Sequence, residues 1–299
     1  MKLKVSVLLG ILSLLLFATY CPAPTRSFGT TTAVSPGTPT FRYSGGVWQS
    51  NTGLDETWLD ETTTPDTYTV LLLHGDGENA GTVFTDSEFP LAYIESEFGT
   101  PTARTKTVTG TGDVYTDTSL YKFGGSSIYN GTTGTDTGYL AVADCSDWTL
   151  GDTFTIDFWV KMDNDAGYLL MQGEDGGAYR NWVVRFGTTW VVFGYTGQYV
   201  GCSFSGLNAW HHIAIVRNGH LNWAFYVDGV SQALTFTDGN FDIPDLASQL
   251  LIGRYGFDTN LLNQGEGFIG HYDELRISKG VARFTANFSD KLSARAYPY

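Results

Sequence analysis

The stretch FTIDFWVKM (154–162) constrains the fold more than any other part of the chain. In an extended strand, Phe154, Ile156, Phe158 and Val160 fall on one face, and Thr155, Asp157, Trp159 and Lys161 on the other. Such alternation demands a sheet, because only a strand sends successive side chains to opposite sides. The segments YTVLLLHG, SSIYNG, GYLAV, YLLMQG, NWVVRFG, WVVFGYTG and YVGCSF share this character. Each is short, rich in β-branched and aromatic residues, and bounded by Gly, Asp or Asn. No segment of the domain sustains a 3.6-residue period over three turns. The 36 glycines and 15% aromatic residues suit strands joined by many turns. The reading is an all-β, two-sheet antiparallel sandwich or jelly roll over residues 67–289, long enough for a core of its own.

The stretch WHHIAIVRNGHLNWAFYVDG (210–229) tests that reading, since its three histidines also suggest a metal site. Asn218-Gly219 is a hairpin signal, because the two-residue turn it favours needs positive φ at both central positions. Leu221, Trp223, Phe225 and Val227 then alternate with Asn222, Ala224, Tyr226 and Asp228, and Asp228-Gly229 marks another turn. On one strand His211 and His212 point to opposite faces and cannot chelate one ion together. His220 sits at the turn. The histidines therefore read as a satisfied core residue and a surface residue.

Seen together, NAWHHIAIVRNGHLNWAFYVDGV (208–230), LLIGR and GFIGHYDELRISKGVARFTANFS (267–289) resemble the laminin-G-like jelly-roll family of the concanavalin A-like lectins and glucanases. VLLLHGDG, FTDS, KFGGSSIYNG and FTIDFWVKM match the same pattern in the same order. The resemblance covers about Thr67 to Ser289 and implies a concanavalin A-like jelly roll. Members of this kind recur in secreted and cell-surface bacterial proteins and in phage tail and fibre proteins. The resemblance further implies one structural calcium ion. Its candidate ligands are Asp76 in HGDG and Asp273 in GHYDELRIS, with Gly125 in KFGGSS as a carbonyl donor. Side-by-side first and last strands would bring the two carboxylates together, and calcium takes hard oxygen ligands.

Carbohydrate binding is the expected function, because an exposed aromatic ring stacks on the apolar C–H face of a sugar. The candidates are Tyr179, Trp182, Trp190, Tyr195 and Tyr199, with Arg180, Asn181 and Gln198 as polar partners. Their competing reading is core filling. Enzymatic activity is not expected. Hydrolases of this fold carry E-x-D-x-x-E on one strand, which is absent here, and no G-x-S-x-G elbow occurs.

A net charge of -14, from 17 Lys and Arg against 31 Asp and Glu, argues against nucleic-acid or anionic-membrane partners. MKLK followed by the apolar run Val5–Tyr20 reads as a signal-like segment (1–23) rather than a membrane span of the mature chain. Cleavage after Ala23 would leave Pro24, and Tyr20 precedes Cys21 where a lipobox has a small residue. Secretion is the first reading, lipidation at Cys21 the second and a retained anchor the third. Residues 24–66, rich in Thr, Ser, Gly and Pro and including LDETWLDET, read as a flexible linker, and 290–299 as a tail. In an oxidising compartment Cys145 and Cys202 become a candidate disulfide, with two buried thiols as the alternative. The expectation is a non-catalytic secreted or surface-displayed module for glycan or another cell-surface ligand. A structural virion component is the alternative. Oligomeric state carries no signal.

Overall fold

The computed structural model describes residues 40–44, 47–51, 68–87, 106–133, 136–164, 166–174, 180–256, 266–290 and 292. The signal-like segment and most of the expected linker lie outside these. Within the linker, however, β1 (Thr40–Ser44) and β2 (Val47–Asn51) pair as an antiparallel hairpin.

The domain begins with β3 (Thr69–Leu73), β4 (Phe84–Thr85), β5 (Thr107–Thr111), β6 (Val114–Asp117) and β7 (Ser127–Asn130). A short pair, β8 (Thr132–Thr133) and β9 (Asp136–Thr137), leads to β10 (Tyr139–Val142). The long strands are β11 (Thr153–Met162), β12 (Gly167–Glu174), β13 (Arg180–Gly187), β14 (Trp190–Tyr195) and β15 (Gln198–Ser203). Next come β16 (His211–Asn218), β17 (Trp223–Val227), β18 (Val230–Gln232), β19 (Leu234–Thr237), β20 (Leu250–Ile252) and β21 (Gly270–Lys279).

Two sheets face each other. One runs β19-β15-β14-β13-β12-β20-β10-β5-β4 and the other β18-β17-β16-β11-β21-β7-β6, with β3 also on β21. All these pairings are antiparallel. The expected all-β sandwich is thus the observed architecture. Phe154, Ile156 and Phe158 from one sheet meet Trp182, Val184, Phe186 and Phe193 from the other in one continuous core. Each such side chain fully removed from water contributes roughly 1.5–3 kcal/mol.

The second face of β11 is buried as well, which alternation alone does not reveal. The segment after β21 crosses the outside of the eight-stranded sheet. Phe288 packs with Ala214, Val216 and Tyr226, and Phe284 stacks on Phe288 at 3.8 Å. Beneath this strap, Arg276 donates to both oxygens of the fully buried Asp157, at 3.0 and 2.8 Å. Burial alone would raise the Asp157 carboxyl, but the Arg276 guanidinium and His212 hold it well below the usual carboxylate range.

The hairpin within WHHIAIVRNGHLNWAFYVDG (210–229) is wider than expected. β16 ends at Asn218 and β17 starts only at Trp223. Positive φ falls on Gly219 and Leu221, not on Asn218. Asn218 and Asn222 close the loop, with the Asn218 amide donating to the Asn222 carbonyl at 2.8 Å.

Candidate functional site

Two places in the sandwich gather chemistry: the outer face of the nine-stranded sheet and the gap beside the middle of β21.

On the nine-stranded sheet, parity decides what each aromatic can do. Trp182, Val184 and Phe186 point inward from β13, so Asn181, Val183 and Arg185 point outward. On β14, Val191 and Phe193 point inward and Trp190, Val192 and Gly194 outward. Two outward rings lie over glycines of the partner strand. A Cβ on Gly187 would come within 2.2 Å of the Trp190 indole, and one on Gly194 within 2.4 Å of the Tyr199 ring. The missing side chains leave room for both rings against the backbone. Tyr199, Tyr168, Tyr255, Asn181, Val183, Thr196 and Gly197 line an open cavity of about 300 Å³. Tyr168 and Tyr255 pack at 4.5 Å, and the Tyr255 hydroxyl bonds to the Asn181 side chain. Burial pushes the Tyr168 hydroxyl up to about 12, so it stays a neutral hydrogen-bonding group.

This corrects the set read from sequence. Trp182 is fully buried in the core, where its Nε1 donates to Gln172 Oε1 at 2.9 Å, so it cannot meet a ligand. Tyr195 points inward and packs on Phe241 at the core's margin, away from the outer face. Trp190 and Tyr199 do share that face, while Tyr179 lies outside the described residues. Arg180 pairs with Glu174, and Gln198 donates to Asp238 at 3.2 Å. Sequence reasoning missed Tyr168, Tyr255 and Arg185. Cross-strand Gly187–Trp190 and Gly194–Tyr199 pairing would have pointed to the right face, but a single strand's letters do not contain it.

The second place forms where β21 changes partners. Gly270–Tyr272 pair with β7 and Leu275–Ser278 with β3, leaving Asp273 and Glu274 between them. Glu274 has φ 52°, so the strand is kinked there. Asp273 is fully buried. Its Oδ2 accepts the amides of Lys122 and Phe123, both at 2.9 Å, whereas Oδ1 has no hydrogen-bond partner among the described residues. Burial pushes this carboxyl up to about 8; the Phe123 and Lys122 amides oppose the rise, and the charges of Glu274 and Asp76 add to it. Asp76 is close enough to be felt electrostatically, and its carboxylate lies against Gly124, where a Cβ would sit 1.8 Å from Oδ1. Asp76 and Asp273 thus both adjoin the 122–125 loop, Asp273 through the Lys122 and Phe123 amides and Asp76 at Gly124. Gly125 has φ +104° with open space around it, so the loop needs its backbone freedom, and Gly124 is the glycine that meets the carboxylate. His74 Nδ1 and Glu274 Oε1 form a buried 2.7 Å pair next to this gap.

A third cluster looks metal-like but is already balanced. The ligand atoms of exposed Asp152, His220 and Asp242 lie within 4.8 Å of one another. Arg217 places its Nη2 3.2 Å from Asp152 and 3.1 Å from His220 Nδ1, supplying the positive charge there. His212 is buried near Asp157 at 3.7 Å, and His211 pairs with Asp228 at 2.8 Å. Cys145 and Cys202 are both buried and are not joined, which corrects the candidate disulfide. Cys202 points into the core, and burial raises its thiol to about 12.

No helix among the described residues is long and apolar enough to cross a membrane. No curated protein matches the chain by sequence. Among solved structures, the chain is similar to the binding domain of Paraclostridial Mosquitocidal Protein 1, at 15% identity and a TM-score of 0.49, covering 72% of this chain and 49% of that one. A structure of botulinum neurotoxin type C, described as entering cells through two ganglioside molecules, matches at 14% identity and a TM-score of 0.45, covering 71% and 47%. The binding domain of botulinum neurotoxin DC, solved with rat synaptotagmin II, matches at 15% identity and 0.46, covering 75% and 49%. The chain thus spans about half the length of each. A family model for laminin G domains matches residues 133–283, half of the chain and most of both sheets. The chain belongs to the concanavalin A-like lectin/glucanases superfamily.

Proposed function

We propose that this domain is a non-catalytic carbohydrate-binding module of a secreted or surface-displayed protein, and that an oligosaccharide lies along the outer face of the nine-stranded sheet. The observation that carries the reading is the pair of rings seated over Gly187 and Gly194 beside a tyrosine-lined cavity. Flat aromatic surfaces suit the C–H faces of sugars, and Asn181, Thr196 and the tyrosine hydroxyls supply hydrogen bonds at the edge. From Trp190 to Gly194 the strand runs about 14 Å, longer than one sugar ring. Glycoside hydrolysis needs two carboxyl groups flanking the bond. The residues lining the cavity include none.

The reading includes a structural calcium ion held by Asp76 and Asp273. The donor set fits: two carboxylates at a glycine-rich loop, one with a buried oxygen lacking any other described partner. The ion would fix the 122–125 loop against β21 and neutralise the buried Asp273, and it would take no part in chemistry.

A glycan array probed with wild-type protein, Tyr168→Ala and Tyr199→Ala, with calcium and with chelator, tests the proposal. Binding to defined oligosaccharides that both variants weaken supports it. Absence of glycan binding in every condition, or release of reducing sugar from a bound polysaccharide, overturns it.

A further inference from the structure

We infer that the sheet face selects an acidic oligosaccharide, one whose carboxylate is taken by the guanidinium of Arg185; this rests on the glycan reading above. Arg185 projects from the same face of β13 as Asn181 and Val183, between the cavity and Trp190. Its guanidinium carbon lies 4.8 Å from the centre of the Tyr168 ring and 5.5 Å from that of Trp190. Aromatic faces hold a cation in place without neutralising it, because a ring carries a quadrupole and no net charge.

Three other arginines have an anion: Arg276 has Asp157, Arg217 has Asp152 and Arg180 has Glu174. Among the described residues, no carboxylate pairs with Arg185 and no acceptor bonds to its guanidinium. With 31 Asp and Glu against 17 Lys and Arg, carboxylates are the commoner group in this chain, so an arginine held by rings alone stands out. The planar fork matches a carboxylate through two parallel N–H donors. On this face the rings stack sugar planes while Arg185 reads one charge beside them.

Exposed Glu266 limits how much charge the site accepts. The Tyr168 amide donates to the Glu266 carbonyl at 3.0 Å, which sets this acidic residue beside the cavity, where it would repel a second acidic unit. The ligand class is therefore an oligosaccharide with an isolated acid group among neutral sugars, not a uniformly charged polymer.

Calorimetric titration of the full chain decides this. The probes are a sialyl-terminated trisaccharide and a mixed neutral–uronic oligosaccharide, each as free acid and as methyl ester, plus a sulfated neutral oligosaccharide. The two acids distinguish a terminal from an in-chain carboxylate. Wild type should bind at least one free acid about 10-fold tighter than its ester, the size of one charge-assisted hydrogen-bonded contact. Arg185→Gln should bring acid and ester to equal affinity, and Arg185→Lys should retain part of the preference. Equal affinity for acid and ester, an undiminished preference in Arg185→Gln, or a preference for sulfate over both acids overturns the inference but leaves the glycan reading intact. No binding to any probe or to neutral glycans removes both.

Discussion

Trp182 and Tyr199 differ by which side of the same sheet they occupy, and that difference sets opposite consequences for losing them. Trp182 stacks on Phe193 within the core, with its indole N–H on Gln172. Trp182→Ala should cost about 3–5 kcal/mol, through lost burial and a cavity, and should appear as a lowered midpoint in denaturant unfolding. Tyr199 is half-buried on the outer face. Tyr199→Ala should leave the thermal midpoint within about 2 °C while weakening oligosaccharide binding about 10-fold, the worth of one stacking contact. Asp273 supplies a third contrast. Asp273→Asn can keep an oxygen on the Lys122 and Phe123 amides while removing the charge that calcium needs. Chelator should lower the wild-type Tm by several degrees, since an ion bound to the native state raises its stability. The variant's Tm should not respond to chelator. A wild-type Tm indifferent to chelator would dismiss the ion.

At the scale of elements, β11 and β21 form the central ladder of their sheet and share the Asp157–Arg276 pair beneath the strap. Removing one partner of such a buried pair leaves the other charge unsatisfied, so Asp157→Asn should cost about 3–5 kcal/mol. The sign of its pH effect follows from the depressed carboxyl. Its stabilisation is complete above the unfolded carboxylate range near 3.8 and is lost as pH falls below that. Wild type should therefore lose stability steeply below about pH 4, and Asp157→Asn should show a shallower acid slope in circular dichroism. On the opposite sheet, Gly194→Ala should lift the Tyr199 ring off β14 and weaken binding while Tyr199 itself is unchanged. These elements also show where the letters stop informing. FTIDFWVKM gave its two faces correctly, because Thr155, Asp157 and Lys161 break the apolar run. WVVFGY did not, since both of its faces are apolar and only the pairing with Gly187 and Tyr199 distinguishes them.

For the whole molecule, the sandwich was legible because alternation, turn residues and motif order agree on one architecture. That Asp76 and Asp273 adjoin one loop was legible too, given a first strand laid beside the last. The strap over the eight-stranded sheet, the switch of β21 from β7 to β3 and the tyrosine cavity were not. Each depends on contacts between residues far apart in the chain, as with Tyr168 and Tyr255, for which no local period exists. The proposed function leaves one sheet a packed wall and makes the other a reading surface. Its most direct test is an amide-resolved NMR titration with the tightest oligosaccharide from the array. Shifts confined to β12–β15 and to Tyr255, with the 281–290 strap silent, are the predicted result. Shifts centred on the strap, or none at saturating ligand, would contradict it.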